Sequence, residues 1–281
     1  MYTVAAFYHF AALPDCAKLQ PVYKATMLAN NLTGTILVTP EGINGTIAGP
    51  RTGINAMLAF LRADPRLANL VHKESESDNN PFQRTKIKLK KETIPLGVTV
   101  DPTNPGTYVK AAQWNDLIAN PATITIDTRN DYEVAIGAFK NAKNPETRTF
   151  KELPKWLEEN LPENRETPIA MYCTGGIRCE KSTAYLKQQG YNNVYHLEGG
   201  ILKYLEETPQ EESLWDGACY VFDDRVAVNH DLSPATQYQV CTSCNMPVNA
   251  ADFRRNGAAT PCRCHKTNRG ASAGQSPHPQ S

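Results

Sequence analysis

Short apolar runs separated by polar turns mark the first hundred residues. TVAAFYHF is long and aromatic enough for one strand, an amphipathic stretch over 17–30 predicts a helix, and GTILVTP a second strand. A glycine turn leads into INGTIAG, a third strand, and the apolar spacing over 51–63 predicts a second helix. The polar stretch HKESESDNNPF (72–82) is expected to be a loop, and the last strand is expected over 84–91. This β-α-β-β-α-β order predicts a split ferredoxin-like domain, an antiparallel sheet with both helices on one face and the other face open.

Farther on the rhythm changes. An amphipathic stretch (109–119) is followed by the apolar strand TITID, a helix near 150–160, the strand PIAMY, a helix over 179–190, the strand NVYHL and the segment GGILKYLEE. Strands alternating with helices predict a parallel α/β sheet. The Pro-rich joint VDPTNPGTY (100–108) and the polar joint ETPQEES (207–213) suggest domains at 1–100 and 106–208. A Cys-rich region (209–268) opens with strand-like CYVFDDRVAV, and the tail 269–281 has nothing to pack and is expected to be disordered. The fold class is thus multidomain, α+β followed by α/β.

Composition narrows the function classes. The 281 residues carry 29 Lys+Arg and 29 Asp+Glu, so attraction of the whole chain to a polyanion is excluded and any nucleic-acid contact needs a local patch. There is no apolar run of about 18 residues, and the start lacks a basic n-region and a cleavage site, so a soluble, unexported protein without a membrane partner is expected. Five of the eight cysteines fall between 219 and 264, which suits reduced thiols with local roles in the cytoplasm.

One thiol stands out. Cys173 ends the strand PIAMY and is followed by Thr174, Gly175, Gly176, Ile177 and Arg178 at the start of a helix. Ligands of parallel sheets sit beyond the carboxyl ends of the strands. Two glycines let the backbone curl so that N–H groups point inward, the helix adds its positive end, and Arg178 adds a fixed positive charge. A thiol held there would have a lowered pKa and be a nucleophilic thiolate. Cys179, just beyond, either faces Cys173 as a partner thiol or packs under the loop.

CTGGIR resembles the active-site loop of rhodanese domains. IDTRNDYEVAIGAFKNA (126–142) is similar to that family's opening motif and NVYHLEGGILKYL (194–205) to its closing one. Four residues separate Cys173 from Arg178, one fewer than in the related Cys-x5-Arg phosphatases, which favours sulfur or thiol chemistry. Asp127 and Arg129 resemble the family pair that supports the loop. The order of parts from EGINGT (41–46) through CTGGIRC to the cysteines at 241 and 244 resembles the rhodanese-like tRNA uridine(34) hydroxylases, which carry an acylphosphatase-like front domain. This resemblance implies oxygen-dependent conversion of the wobble uridine to 5-hydroxyuridine, Cys173 as the essential thiol, dioxygen as co-substrate and the tRNA anticodon arm as partner. Without it, the residues alone would point to a sulfurtransferase working through a Cys173 persulfide, or to a noncatalytic tRNA-binding module.

RTKIKLKK supplies a local patch. Alternation places Arg84, Lys86, Lys88 and Lys90 on one side of the strand, suited to a phosphate backbone, with Ile87 and Leu89 buried on the other. Phe7, Tyr8 and Phe82 nearby are core residues or base-stacking candidates. Cys241 and Cys244 form a C-x2-C knuckle, and Cys262, Cys264 and His265 follow with an irregular C-x-C-H spacing. They hold zinc, or they are reduced thiols without metal. The irregular second half departs from the paired knuckles associated with the family.

Overall fold

The computed structural model describes residues 1–223, 225–241 and 246–250. They fall into two compact units, one ending at Pro105 and one beginning at Gly106. The first unit contains β1 (Tyr2–Phe10), α1 (Cys16–Ala29), β2 (Thr33–Thr39), β3 (Gly42–Gly49), α2 (Arg51–Arg62), β4 (Val71–Ser77) and β5 (Thr85–Leu89). Alternation divides the strands between two faces. Ala5, Phe7, Ile36, Val38, Ile43 and Ile47 point to one side and form a core with Tyr23 and Met27 of α1 and with Ile54, Met57 and Leu58 of α2. Phe7 is thereby a core residue, whereas Tyr8 alternates to the opposite face.

The sheet runs β4-β1-β3-β2-β5, which corrects the expected layout. The fourth ferredoxin-like strand is not the basic one. It is the polar segment expected to be a loop, paired antiparallel with β1 from Tyr2↔Ser77 to Tyr8↔Val71. Its residues are largely exposed, Val71 at 76%, so no hydrophobic period marks it and only the backbone ladder and contacts such as Arg51 to Glu74 (2.5 Å) hold it. The basic strand β5 is an addition at the opposite edge, parallel to β2, which makes the sheet mixed. Ile87 reaches the core, but Leu89, expected to be buried, is 41% exposed because β5 has no neighbour beyond it. The face without helices is also partly covered. Thr39, on that face, hydrogen-bonds Thr93 (2.8 Å), and the Thr93 N–H donates to Glu41 (2.7 Å) as the chain folds back after β5.

The second unit has β6 (Thr107–Val109), α3 (Ala111–Ala119), β7 (Ile124–Asp127), α4 (Asp131–Val134), β8 (Gly137–Phe139), α5 (Leu153–Asn160), β9 (Ile169–Tyr172), α6 (Ile177–Gln188), β10 (Val194–Leu197) and α7 (Gly200–Glu207). The four-stranded sheet, β6-β10-β9-β7, is parallel throughout. Three strand pairs follow or flank it: β11 (Trp215–Gly217) with β8, β12 (Cys219–Tyr220) with β13 (Ala227–Val228), and β14 (Tyr238–Val240) with β15 (Pro247–Asn249). CYVFDDRVAV, expected to be one strand, is therefore a hairpin. The segment after 209, set apart by its cysteines, packs into the same unit through Trp215 and Cys219. The tail 269–281 lies outside the described residues.

Phe139 is the centre of this unit's core. Its ring lies 4.8 Å from Tyr172, 4.8 Å from Tyr204, 5.2 Å from Trp215 and 5.9 Å from Trp114, centroid to centroid. Edge-on aromatic packing of this kind adds to the burial of large apolar surface. Phe139 thus joins β8, α7, β11, α3 and the last residue of β9. Phe139→Ala should destabilise the protein by about 3–5 kcal/mol, measured by denaturant unfolding. A loss within experimental error of zero would show that the cluster does not hold the unit together.

Candidate active site

The four residues of β9 are buried apolar or aromatic side chains, and the strand delivers Cys173 at its carboxyl end, itself 1% exposed. After it the backbone turns at Gly176, whose φ of 102° admits only glycine without strain. That turn aims the Gly176 N–H at the Cys173 sulfur, 3.1 Å away, and starts α6. α7 grips the loop from behind. The N–H groups of Ile201 and Leu202 donate to the carbonyls of Cys173 (3.0 Å) and Thr174 (3.2 Å). At Gly200, also left-handed, a Cβ would lie 2.5 Å from the Cys173 carbonyl oxygen, so the second glycine of LEGGIL is a packing requirement. At Gly175 a Cβ would meet nothing within 4 Å, so the loop has open space on this side.

Arg178 has a partner that the sequence reading does not supply. Its guanidinium makes a two-pronged ion pair with Glu133 (2.6 and 2.7 Å), and both groups are buried. Thr174 adds its hydroxyl to the same carboxylate at 3.4 Å. Burial by itself would push the Glu133 carboxyl up, but Arg178 overrides it and holds it below the usual range. Sequence patterning does not single out Glu133. Its one local signal is the N-D-Y-E run: Asn130 and Glu133 form a reciprocal capping box at the start of α4, which turns the carboxylate inward.

Asp127 and Arg129 form a second buried ion pair. Arg129 pairs with Asp127 (2.9 and 2.6 Å) and donates to the backbone carbonyls of Glu133 (3.2 Å) and Gly137 (2.6 Å). It thereby holds α4 and β8, and through α4 the Glu133 carboxylate.

Cys179 lies in the first turn of α6, fully buried and within hydrogen-bonding reach of Cys173. Thr128 Oγ1 is 3.5 Å from its sulfur. Burial would push the Cys173 thiol up. The hydrogen bond from Cys179, the positive charge of Arg178 and the N–H groups of Cys179 and Gly176 outweigh it and bring Cys173 down to about 6. Burial and the neighbouring Cys173 charge push Cys179 well above its ordinary value. The two shifts run in opposite directions and favour a Cys173 thiolate that accepts a hydrogen bond from the Cys179 thiol. Chemically, the loop holds a nucleophile in an anion cradle.

The remaining sequence candidates lie elsewhere. Arg84, Lys86, Lys88 and Lys90 belong to the first unit, where Lys86 and Lys88 stand opposite Thr35 and Leu37 on the sheet face away from the helices. Cys241 is buried at the end of β14, its N–H donating to the Met246 carbonyl (2.8 Å). Cys244, Cys262, Cys264 and His265 lie outside the described residues. Among the described residues no group of three or more His, Cys, Asp or Glu is placed to hold a metal ion, and no helix is long and apolar enough to cross a membrane.

Residues 2–93 match the UPF0176 acylphosphatase like domain, and residues 110–207 match the rhodanese-like domain. The tRNA uridine(34) hydroxylase of Rhizobium etli is 54% identical over 254 residues, 90% of this chain and 82% of that one. The chain belongs to the tRNA uridine(34) hydroxylase family. Two solved structures overlap it locally. A rhodanese-like domain from Anabaena sp. is 18% identical over 41% of this chain and 80% of its own, with a TM-score of 0.33. A rhodanese-related protein from Thermoplasma volcanium is 26% identical over 36% and 92%, with a TM-score of 0.30. In this member of the hydroxylase family, the stretch that matches the rhodanese-like domain includes the loop that carries Cys173.

The thiolate absorbance of wild-type protein minus that of Cys173→Ser should titrate with a midpoint near 6. The thiolate forms as pH rises through that value. Cys179→Ala removes a donor to the anion and should move the midpoint upward. A wild-type midpoint at the ordinary thiol value would show that the cradle does not stabilise the anion.

Proposed function

We propose that this chain is a tRNA uridine(34) hydroxylase that makes 5-hydroxyuridine, with Cys173 as its essential thiol. The observation that carries the reading is the Cys173 cradle, a buried thiolate with an inward N–H and a thiol donor, in a chain of this family. The wobble base leaves its stack and enters from the open side at Gly175. The Cys173 sulfur adds to pyrimidine C6, and the electron pair moves to C5. Dioxygen, the co-substrate, takes that pair and one proton to give a C5 hydroperoxide. Two electrons from an external thiol donor, with two protons, cleave the O–O bond and release water. Loss of the C5 proton as the sulfur leaves C6 restores the ring with one added oxygen. Cys179 sets the charge state of Cys173 and is a positioning residue in this scheme.

The partner in this reading is the anticodon arm of tRNA, met in the cytoplasm. Arg84, Lys86, Lys88 and Lys90 supply phosphate contacts, because a neutral chain needs a local concentration of cations to hold a polyanion. A zinc ion on Cys241, Cys244, Cys262 and Cys264 would be structural, since none of the four belongs to the Cys173 loop.

Nucleoside mass spectrometry of tRNA incubated aerobically with the protein and a thiol donor should show one added oxygen on uridine, absent with Cys173→Ala. A sulfur-for-oxygen exchange would make the protein a thiolating sulfurtransferase instead. Separately, replacing Arg84, Lys86, Lys88 and Lys90 together by Gln should weaken tRNA binding and flatten its salt dependence, by roughly 0.7–0.9 in log–log slope for each phosphate no longer neutralised. An unchanged slope would remove the basic strand from the binding surface.

A further inference from the structure

The β12–β13 hairpin is a motif that the chemistry above leaves unused. It is laid against the thiol loop: the Thr174 hydroxyl lies 3.5 Å from the Tyr220 carbonyl oxygen. Its turn is held by an N–H from Val221 to the Val226 carbonyl and one from Val226 to the Asp223 carbonyl, each 3.0 Å. Val226 adopts a φ of 63°, a conformation that a β-branched side chain avoids. Its side chain is buried among Ile136, Ala218 and Tyr220, which holds Val226 in that conformation in spite of the strain.

So anchored, the turn presents Phe222, which is 65% exposed. Its inner edge, however, is supported. The ring packs edge-on against Tyr220 (5.0 Å), which packs edge-on against Tyr132 (5.3 Å), and the Arg178 guanidinium lies over the inner side of the Phe222 ring, 5.9 Å from its centroid. Arg178 and Thr174 belong to the loop that holds Cys173. The result is a braced aromatic surface, open to solvent, at the rim of the thiol site.

We propose that Phe222 is a stacking platform for the extruded wobble uracil, holding the pyrimidine at the rim of the Cys173 loop. A flat apolar ring that is largely exposed offers its outer side to another flat ring, and a nucleobase gives up its stack on neighbouring bases only if it gains another. This inference rests on the hydroxylase reading for the identity of the base. Phe222 is a recognition residue here.

The test is a double-mutant cycle on binding, which needs no turnover. Wild-type protein, Phe222→Ala, Phe222→Leu and Phe222→Trp are titrated with an anticodon stem-loop RNA and with the same RNA abasic at the wobble position. Phe222→Ala and Phe222→Leu should weaken binding of the intact RNA by roughly five- to a hundredfold. Phe222→Trp should restore it, and none of the substitutions should matter for the abasic RNA. All three variants should still unfold cooperatively, so a loss confined to the intact RNA reports the base contact and not the fold. Equal loss on intact and abasic RNA, or wild-type affinity for Phe222→Leu, would overturn the proposal. Base-dependent coupling without any hydroxylated product would uphold the platform and fail the hydroxylase reading. Hydroxylated product without coupling would do the reverse.

Discussion

The site depends on the buried ion pair between Glu133 and Arg178. Removing two charges from water is expensive, and the attraction between them compensates only when the geometry is good and the remaining hydrogen-bonding groups are satisfied. Both conditions are met: the pair is two-pronged, and the carboxylate also takes the Thr174 hydroxyl and the Asn130 N–H. The pair joins the short helix after β7 to the loop after β9, two segments about forty-five residues apart in sequence. Asp127 and Arg129 repeat the device and hold the backbone that carries Glu133. A chain of ion pairs thus runs from the end of one strand to the loop on the next.

Because Glu133 occupies Arg178, the cation acts on Cys173 at a distance and not by direct contact with a substrate anion. The close stabilisation of the thiolate is local: the hydrogen bond from Cys179 and the inward N–H groups of Cys179 and Gly176. These are dipoles fixed by the fold, so they need no rearrangement as charge develops. The arrangement suits the proposed attack on a neutral pyrimidine, for which a free guanidinium would have no partner. Phosphate chemistry would ask for the opposite, an Arg free to grip an oxyanion.

What is legible in the sequence follows the periodicities. The parallel α/β order, the position of Cys173 after a buried strand and the glycines of its loop can all be read, because each leaves a local pattern. Glu133 cannot, since its importance lies in an ion pair across forty-five positions, and only the cap formed with Asn130 is local. The strand Val71–Ser77 reads as a loop because an edge strand exposed on both faces needs no apolar alternation. The basic segment is legible as a strand, but its place in the sheet is not. Alternation reports which residues share a face and says nothing of which neighbour the strand will pair with, and here that neighbour is β2 in parallel. The glycine of LEGGIL that meets the Cys173 carbonyl is visible as part of a motif, yet its steric reason emerges only when the loop and α7 are seen together.

The near-complete burial of Cys173 also bears on how a thiol of lowered pKa survives oxidants. A sulfur this acidic on an open loop is the first target of peroxide, which carries it to sulfenic acid and then to sulfinic acid, a step few enzymes reverse. At 1% exposure, restricted access opposes the susceptibility that thiolate character brings. Space is left at Gly175, the side on which a bound nucleotide would stand, so the substrate itself would stopper the opening while the sulfur is at work. The same shielding that holds the anion in its cradle therefore limits self-inactivation between turnovers.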